Sequence, residues 1–182
     1  MQLNMNFRLF LYSFLILISF SNICFIRVNK LTSNNAVVVD SIDFFAKVDT
    51  IVKKAYSVMG TPYKWAGASP STGFDCSGFV YWCFKHVGIT IPRSSQGLYA
   101  MGEKIEMRDA QAGDVILFKG TNANTKGVGH VGIVTSLPGN ELKFVHSSSS
   151  KQHWGVIETI YGQSYYTKRF IGVRRLIKIK NN

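Results

Sequence analysis

The stretch Gly73-Phe74-Asp75-Cys76-Ser77-Gly78-Phe79-Val80-Tyr81-Trp82-Cys83-Phe84 decides how the rest of the chain is read. A small polar run, Ser69 to Gly73, ends at Asp75, whose short carboxylate suits a helix N-cap because it accepts from the first free N–H groups. Beyond it Phe79, Val80, Trp82, Cys83, Phe84 and Val87 recur at helical spacing, and Gly88 is a natural stop. Cys76 therefore falls in the first turn of a mostly buried helix. There the helix dipole and unpaired N–H groups favour a thiolate over a thiol, which serves a nucleophile and does nothing for a core cysteine.

Outward from this helix, the 182-residue chain is long enough for one domain with a real core, and 46% hydrophobic and 13% aromatic residues argue against disorder. Residues 1–26 differ in kind: Arg8 is their only cation, and Leu9 to Phe20 is unbroken apolar sequence of signal-peptide length, short of a membrane span of about 20 residues. A cleaved signal peptide with Ser19 or Ser21 before the cut, a retained anchor, and a lipoprotein leader ending at Cys24 all remain open, and each exports the domain. The Ser-Asn-Ile before Cys24 lacks the small residue expected there. Residues 27–43 read as a linker, and the catalytic domain is expected over 44–182.

The net charge of +11, of which about +10 lies outside the leader, suits an anionic polymer, anionic lipid or plain solubility. The cations are not interleaved with stacking aromatics, and the leader directs the chain outward, so nucleic acid is not an expected partner. Of three cysteines, Cys24 belongs to the leader. Cys76 and Cys83 would stand about 10 Å apart on one helix, too far for a disulfide. Cys83 reads as core. That leaves an unpaired thiol at a helix start in an oxidising compartment.

An amphipathic helix is expected from about Phe44 to Met59, capped by Ser41 or Asp43, with Phe45, Val48, Ile51, Val52, Ala55 and Val58 inward. After the cysteine helix, Ser94-Ser95 opens a shorter one that ends near Met101. Strands are then expected at 115–118, 130–135, 142–146, 156–160 and 170–176. Helices first and an antiparallel meander of about five strands after make an α+β fold.

A cysteine nucleophile needs a base, and the base works best when a third group orients it. His130 opens one strand and His146 ends the next, so a tight connection brings them side by side. His86, about 15 Å along the helix from Cys76, reads as structural, and His153 as solvated or at a cleft rim. Cys76, His130 and His146 could in principle hold zinc, but no His-Glu-x-x-His or Cys-x-x-Cys pattern supports a metal.

Taken together, Gly60-Thr61-Pro62-Tyr63-Lys64-Trp65-Ala66-Gly67, Asp75-Cys76-Ser77-Gly78-Phe79-Val80, Pro92-Arg93-Ser94-Ser95, Ala112-Gly113-Asp114-Val115, Gly129-His130-Val131-Gly132-Ile133 and Phe144-Val145-His146 resemble the NlpC-type papain-like cell-wall peptidases over about residues 47–177. The resemblance implies a circularly permuted papain-like fold. It makes Cys76 the nucleophile, His130 the general base and acid, and His146 the orienting residue. Tyr63, Asp75, Ser77 and Ser95 would line the substrate cleft, although Asp75 could do no more than cap its helix. Tyr63 and Trp65 could also simply pack against the cysteine helix, and for Trp65 packing is the expectation. The sequence departs from the family pattern at Ala66, where a glycine is usual, and at Leu98, where a glutamine is usual. No barrel domain that would read a free amino end is recognisable.

The implied protein is an exported cysteine endopeptidase of the bacterial envelope that cuts D-glutamyl or D-alanyl links to diaminopimelate in peptidoglycan stems. It would need no cofactor and is expected to be monomeric, with membrane attachment through the leader an open alternative. Rivals are an N-acetylmuramoyl amidase, a non-catalytic wall-binding module and an acyltransferase with a non-water acceptor.

Overall fold

The computed structural model describes residues 41–120, 127–162 and 164–178. The leader, Cys24 and the linker up to residue 40 lie outside the described residues, nearly all of which fall in the compact unit Phe44–Ile179.

Helix α1 covers residues 41–57. The chain is already helical at 41, so neither Ser41 nor Asp43 caps it, and 41–43 belong to a helix instead of a linker. Its inward stripe is Phe44, Ile51, Ala55 and Val58, while Phe45 is 64% exposed. Ile51, Ala55 and Val58 are thus inward as expected, with Val48 partly buried against the same core, and Phe44 takes the place expected for Phe45. The chain then forms a small hairpin, β1 (Ala68–Ser69) with β2 (Gly73–Phe74), which delivers it to the cysteine helix α2 (Cys76–Lys85). Asp75 caps α2 by accepting from the Gly78 N–H at 2.7 Å. At the other end His86 is the C-cap, its Nδ1 lies 2.8 Å from the Trp82 carbonyl, and Gly88 takes a φ of 71°. Helix α3 (Ser95–Ala100) begins at a Ser94 N-cap.

A six-stranded antiparallel sheet follows, in the order β3-β8-β4-β5-β6-β7. Its strands are β3 (Glu103–Ile105), β4 (Val115–Lys119), β5 (Val128–Val134), β6 (Lys143–Ser149), β7 (Trp154–Ile160) and β8 (Phe170–Arg175). Strands β4 to β7 are the expected meander. The last strand crosses back to pair with β4 and β3, and β3 is the strand that sequence pattern alone did not show. A short helix, α4 (Ser164–Thr167), lies in that crossover.

Alternation along the strands divides the interior in two. Val115, Leu117, Val131, Ile133, Val145 and Val156 pack with Phe79, Val80, Cys83 and Phe84 of α2. Ile116, Phe118, Val134, Phe144 and Val173 face the other way and are covered by Tyr161, Tyr166 and Phe170 of the crossover. At about 25 cal/mol per Å² of apolar area removed from water, each such large side chain contributes roughly 1.5–3 kcal/mol. One charged pair is sealed into this frame: Asp114 accepts from Arg175 Nε and Nη2 at 2.8 Å each, and its side chain is only 2% exposed. Together these layers hold the α2 N-terminus against β5.

Candidate active site

Cys76 is the first residue of α2, behind a cap that is itself pinned. Arg93 Nη1 donates to Asp75 Oδ1 at 2.7 Å and Nη2 to Asp75 Oδ2 at 3.0 Å, a bidentate pair. The same guanidinium reaches Ser77 Oγ at 2.9 Å and the Gly67 carbonyl at 2.7 Å, so hairpin, cap and helix converge on it. Only glycine leaves room for this: a Cβ at Gly78 would stand 2.1 Å from the Gly67 oxygen and 2.6 Å from Arg93 Nη2. Sequence pattern gave Arg93 no role. Its place in the Pro92-Arg93-Ser94-Ser95 motif was the available signal, but its partner lies 18 residues away.

The backbone amides of Ser77, Val131 and Cys76 are near enough to the Cys76 sulfur to favour its charged form. Burial outweighs them, and with the Asp75 carboxylate adding to it the thiol is pushed up to about 11. The helix-start argument for a standing thiolate is thus corrected. The dipole is present, but desolvation wins, so Cys76 rests as a thiol at neutral pH.

Val131, whose amide bears on the sulfur, is the sequence neighbour of His130. His130 is the third residue of β5 and His146 the fourth of β6. Both point to the same face of the sheet. Strands β5 and β6 pair only at Ile133–Val145 and Val134–Phe144, so they part where the imidazoles sit. His130 Nε2 lies 2.9 Å from His146 Nδ1, with the two rings at 90°. This leaves Nδ1 as the ring nitrogen of His130 available to Cys76. Burial lowers the His130 pKa to about 4, with the Arg169 charge assisting. His146 is fully buried and is held well below the ordinary imidazole range, by burial first and His130 second. Both rings are therefore neutral at rest.

The remaining expected residues separate by location. Tyr63 is bridged to Phe74, and its phenol is shifted upward by burial and by the charges of Cys76 and Asp75, so it borders Cys76. Its ring meets Trp154 edge-on at 5.2 Å, which makes Trp154 a neighbour of the cleft that sequence pattern did not reveal. Ser77 is 7% exposed and engaged with Asp75 and Arg93. Ser95 Oγ lies 3.4 Å from the Val128 carbonyl, linking α3 to β5. Trp65 does not pack on the cysteine helix: it is 82% exposed. A β-turn closed by the Gly67 N–H on the Lys64 carbonyl, with Ala66 at φ 59°, swings it outward. Beyond His130 on the crossover side, a cavity of about 710 Å³ is lined by Ser148, His153, Thr159, Tyr166 and Arg169, among others. No cluster of metal-ligating side chains occurs among the described residues, and none of their helices is long and apolar enough to cross a membrane.

The NlpC/P60 family model matches residues 60–175, most of the chain, and the protein belongs to that family. Among its relatives is the bifunctional muramidase/DL-endopeptidase CwlT of Bacillus subtilis, 42% identical over 62% of this chain and 32% of that protein. The murein DD-endopeptidase MepH of Escherichia coli is 34% identical over 74% of this chain and 49% of that one. Of solved structures, an NLP/P60 family protein from Staphylococcus aureus superposes with a TM-score of 0.63 at 36% identity, covering 73% of this chain and 42% of the other. The peptidoglycan hydrolase RipB of Mycobacterium tuberculosis gives 0.58 at 28% identity over 80% and 72%. The chain thus spans about a third to a half of the length of these two curated relatives.

Proposed function

We propose that this protein is an exported cysteine endopeptidase that hydrolyses amide bonds next to D-amino acids in the peptide stems of peptidoglycan. The observation that carries the reading is the row of groups at the α2 N-terminus. The Val131 amide, next in sequence to His130, bears on the Cys76 sulfur, and His130 Nε2 lies 2.9 Å from His146 Nδ1. A nucleophile, a base and an orienter in that order are the parts acyl transfer requires.

In this reading His130 Nδ1 takes the thiol proton as the sulfur attacks the scissile carbonyl. The Cys76 backbone N–H helps to hold the developing oxyanion. His130 then passes the proton to the departing amine as the C–N bond breaks, leaving a thioester. Water attacks the thioester and gives its proton to His130, and the C–S bond breaks to restore the thiol. Since Cys76 and His130 are displaced to about 11 and about 4, both are neutral across ordinary pH, and the charges exist only while the reaction runs. Tyr63, Asp75, Ser77 and Ser95 line the cleft and contact the stem peptide. The basic exported domain suits an anionic wall. The relatives named above as DL- and DD-endopeptidases support a D-glutamyl or D-alanyl link as the target.

The test is incubation of the full chain and of Cys76→Ala with purified peptidoglycan, with the released fragments identified by mass spectrometry. Stem-peptide fragments that vanish in the variant are expected, and they name the bond. Release of whole stems free of muramic acid would reassign the protein as an amidase, and no products from folded, wall-bound protein would make it a binding module.

A further inference from the structure

His146 is a ring with both nitrogens engaged. Nδ1 faces His130, and Nε2 lies 3.0 Å from Thr159 Oγ1 and 3.3 Å from the Tyr166 hydroxyl. Neutral imidazole carries one proton, and its position decides what His130 can do. With the proton on His146 Nδ1, that group donates to His130 Nε2. His130 then carries its own proton on Nδ1, the atom that must accept from the thiol. With the proton on His146 Nε2, Nδ1 is an acceptor, His130 donates to it from Nε2, and His130 Nδ1 is free to act as base. Only the second arrangement accommodates His130 once it holds two protons.

We propose that Thr159 and Tyr166 are positioning residues whose hydroxyl oxygens accept from His146 Nε2–H, locking His146 in the tautomer that leaves His130 able to take the Cys76 proton. The inference rests on the reading of His130 as base. Both oxygens are themselves held by the fold. Thr159 pairs with Phe144 across β6 and β7, and His146 pairs with Ile157, so the threonine sits diagonally from the histidine on one face. Tyr166 comes from α4 in the crossover, its ring centred 5.0 Å from Phe118, 5.1 Å from Phe144 and 5.2 Å from His146. Burial shifts the Tyr166 phenol upward, so it stays a neutral hydroxyl. Phe144, tilted 30° at 5.0 Å, closes one side of the His146 ring. The return of the chain across the sheet thus places a second ring of contacts behind the catalytic pair, and Thr159 and Tyr166 are among the residues lining the 710 Å³ cavity.

The test uses the full chain with nitrogen-15-labelled histidine. In the unaltered protein His146 is expected to show a protonated Nε2 and a bare Nδ1. Thr159→Val, equal in volume, is expected to move population to the Nδ1–H form. It should also lower kcat by about 10- to 100-fold, at or below the lower end of what general acid–base catalysis contributes, while KM changes little. Thr159→Ser restores both. Tyr166→Phe gives a smaller loss, as its contact is longer. A wild-type Nδ1–H signal overturns the proposal, and so does a Thr159→Val protein with the tautomer and kcat unchanged. The tautomer is read without substrate, so it stands apart from failure of the peptidase reading, which an active Cys76→Ala would reveal.

Discussion

The two sides of the Cys76 sulfur are built on opposite electrostatic principles. On the helix side, a full ion pair between Asp75 and Arg93, extended to Ser77 and Gly67, holds the turn that presents Cys76. On the sheet side the Arg169 charge lies near, but the bonded groups themselves, His130, His146, Thr159 and Tyr166, are neutral and joined by hydrogen bonds whose direction rests on where single protons lie. A charge pair can tolerate some solvent, because its attraction does not depend on a tautomer, and Arg93 is indeed 36% exposed in its side chain. Hydrogen bonds that depend on a tautomer tolerate it less, since water would supply alternative partners at each nitrogen, and His146 is fully buried. Position is therefore fixed by charge, and protonation by burial.

Breaking the charged side should have the largest effect. Arg93→Met leaves the Asp75 carboxylate and Ser77 without their shared donor. Removal of one partner from a fully buried pair costs about 3–5 kcal/mol, and the partial exposure here reduces the expected loss to about 2–3 kcal/mol. Urea unfolding should show that loss, and peptidoglycan hydrolysis should fall with it because the first turn of α2 is no longer fixed. A stability change under about 1 kcal/mol would mean that the cap holds without the guanidinium.

The neutral side should instead be exposed by acid. Below pH 6.5 an unfolded chain binds protons at positions 130 and 146, whereas folded His130 resists until about pH 4 and His146 is also shifted downward. The unfolded state thus holds more protons in that window, so stability is full above it and falls as pH drops from about 6.5 toward 4. The slope is at most about 1.4 kcal/mol per pH unit for each group. Urea midpoints at pH 7 and pH 5 measure it, and His130→Asn should flatten the dependence. Equal midpoints for the unaltered protein would mean that the imidazoles are better solvated than their burial implies.

A smaller test lies in the hairpin that feeds the charged side. Ala66 holds a φ of 59°, a conformation costing a non-glycine residue about 1–2 kcal/mol, in the turn whose Gly67 carbonyl receives Arg93. Ala66→Gly is expected to stabilise the fold by about 0.5–1 kcal/mol, because relief of that strain exceeds the added freedom of the unfolded chain. A lower melting temperature for the variant would contradict this.

The same division explains what the sequence made legible. Asp75 next to Cys76, followed by apolar residues at helical spacing, is local information, and the helix, its cap and the position of Cys76 follow from it. Alternation around Val131, Ile133 and Val145 placed His130 and His146 on adjacent strands. Arg93, Thr159 and Tyr166 were not legible as site residues because their roles arise from pairing across 18, 13 and 20 residues, which no local period encodes. β3 escaped for another reason: Glu103-Lys104-Ile105 is too short and polar to read as a strand, and it exists because β8 offers an edge. Trp65 was misplaced because the outward turn at Ala66 relies on a backbone conformation that alanine seldom adopts.

Ser95 lies where the two sides meet, and it gives the finest test of their separation. Its hydroxyl donates to the Val128 carbonyl at 3.4 Å, a long contact from the α3 start to the strand that carries His130. A bond at that length contributes little to stability, below the roughly 1 kcal/mol of a well-formed one. Ser95→Ala should therefore unfold within about 0.5 kcal/mol of the unaltered protein. If Ser95 also contacts the stem peptide, KM should rise several-fold while kcat and the His146 tautomer stay as they were. A loss of about 1 kcal/mol or more in stability with KM unchanged would instead make Ser95 a strut between α3 and β5, and would leave the cleft to Tyr63, Asp75 and Ser77.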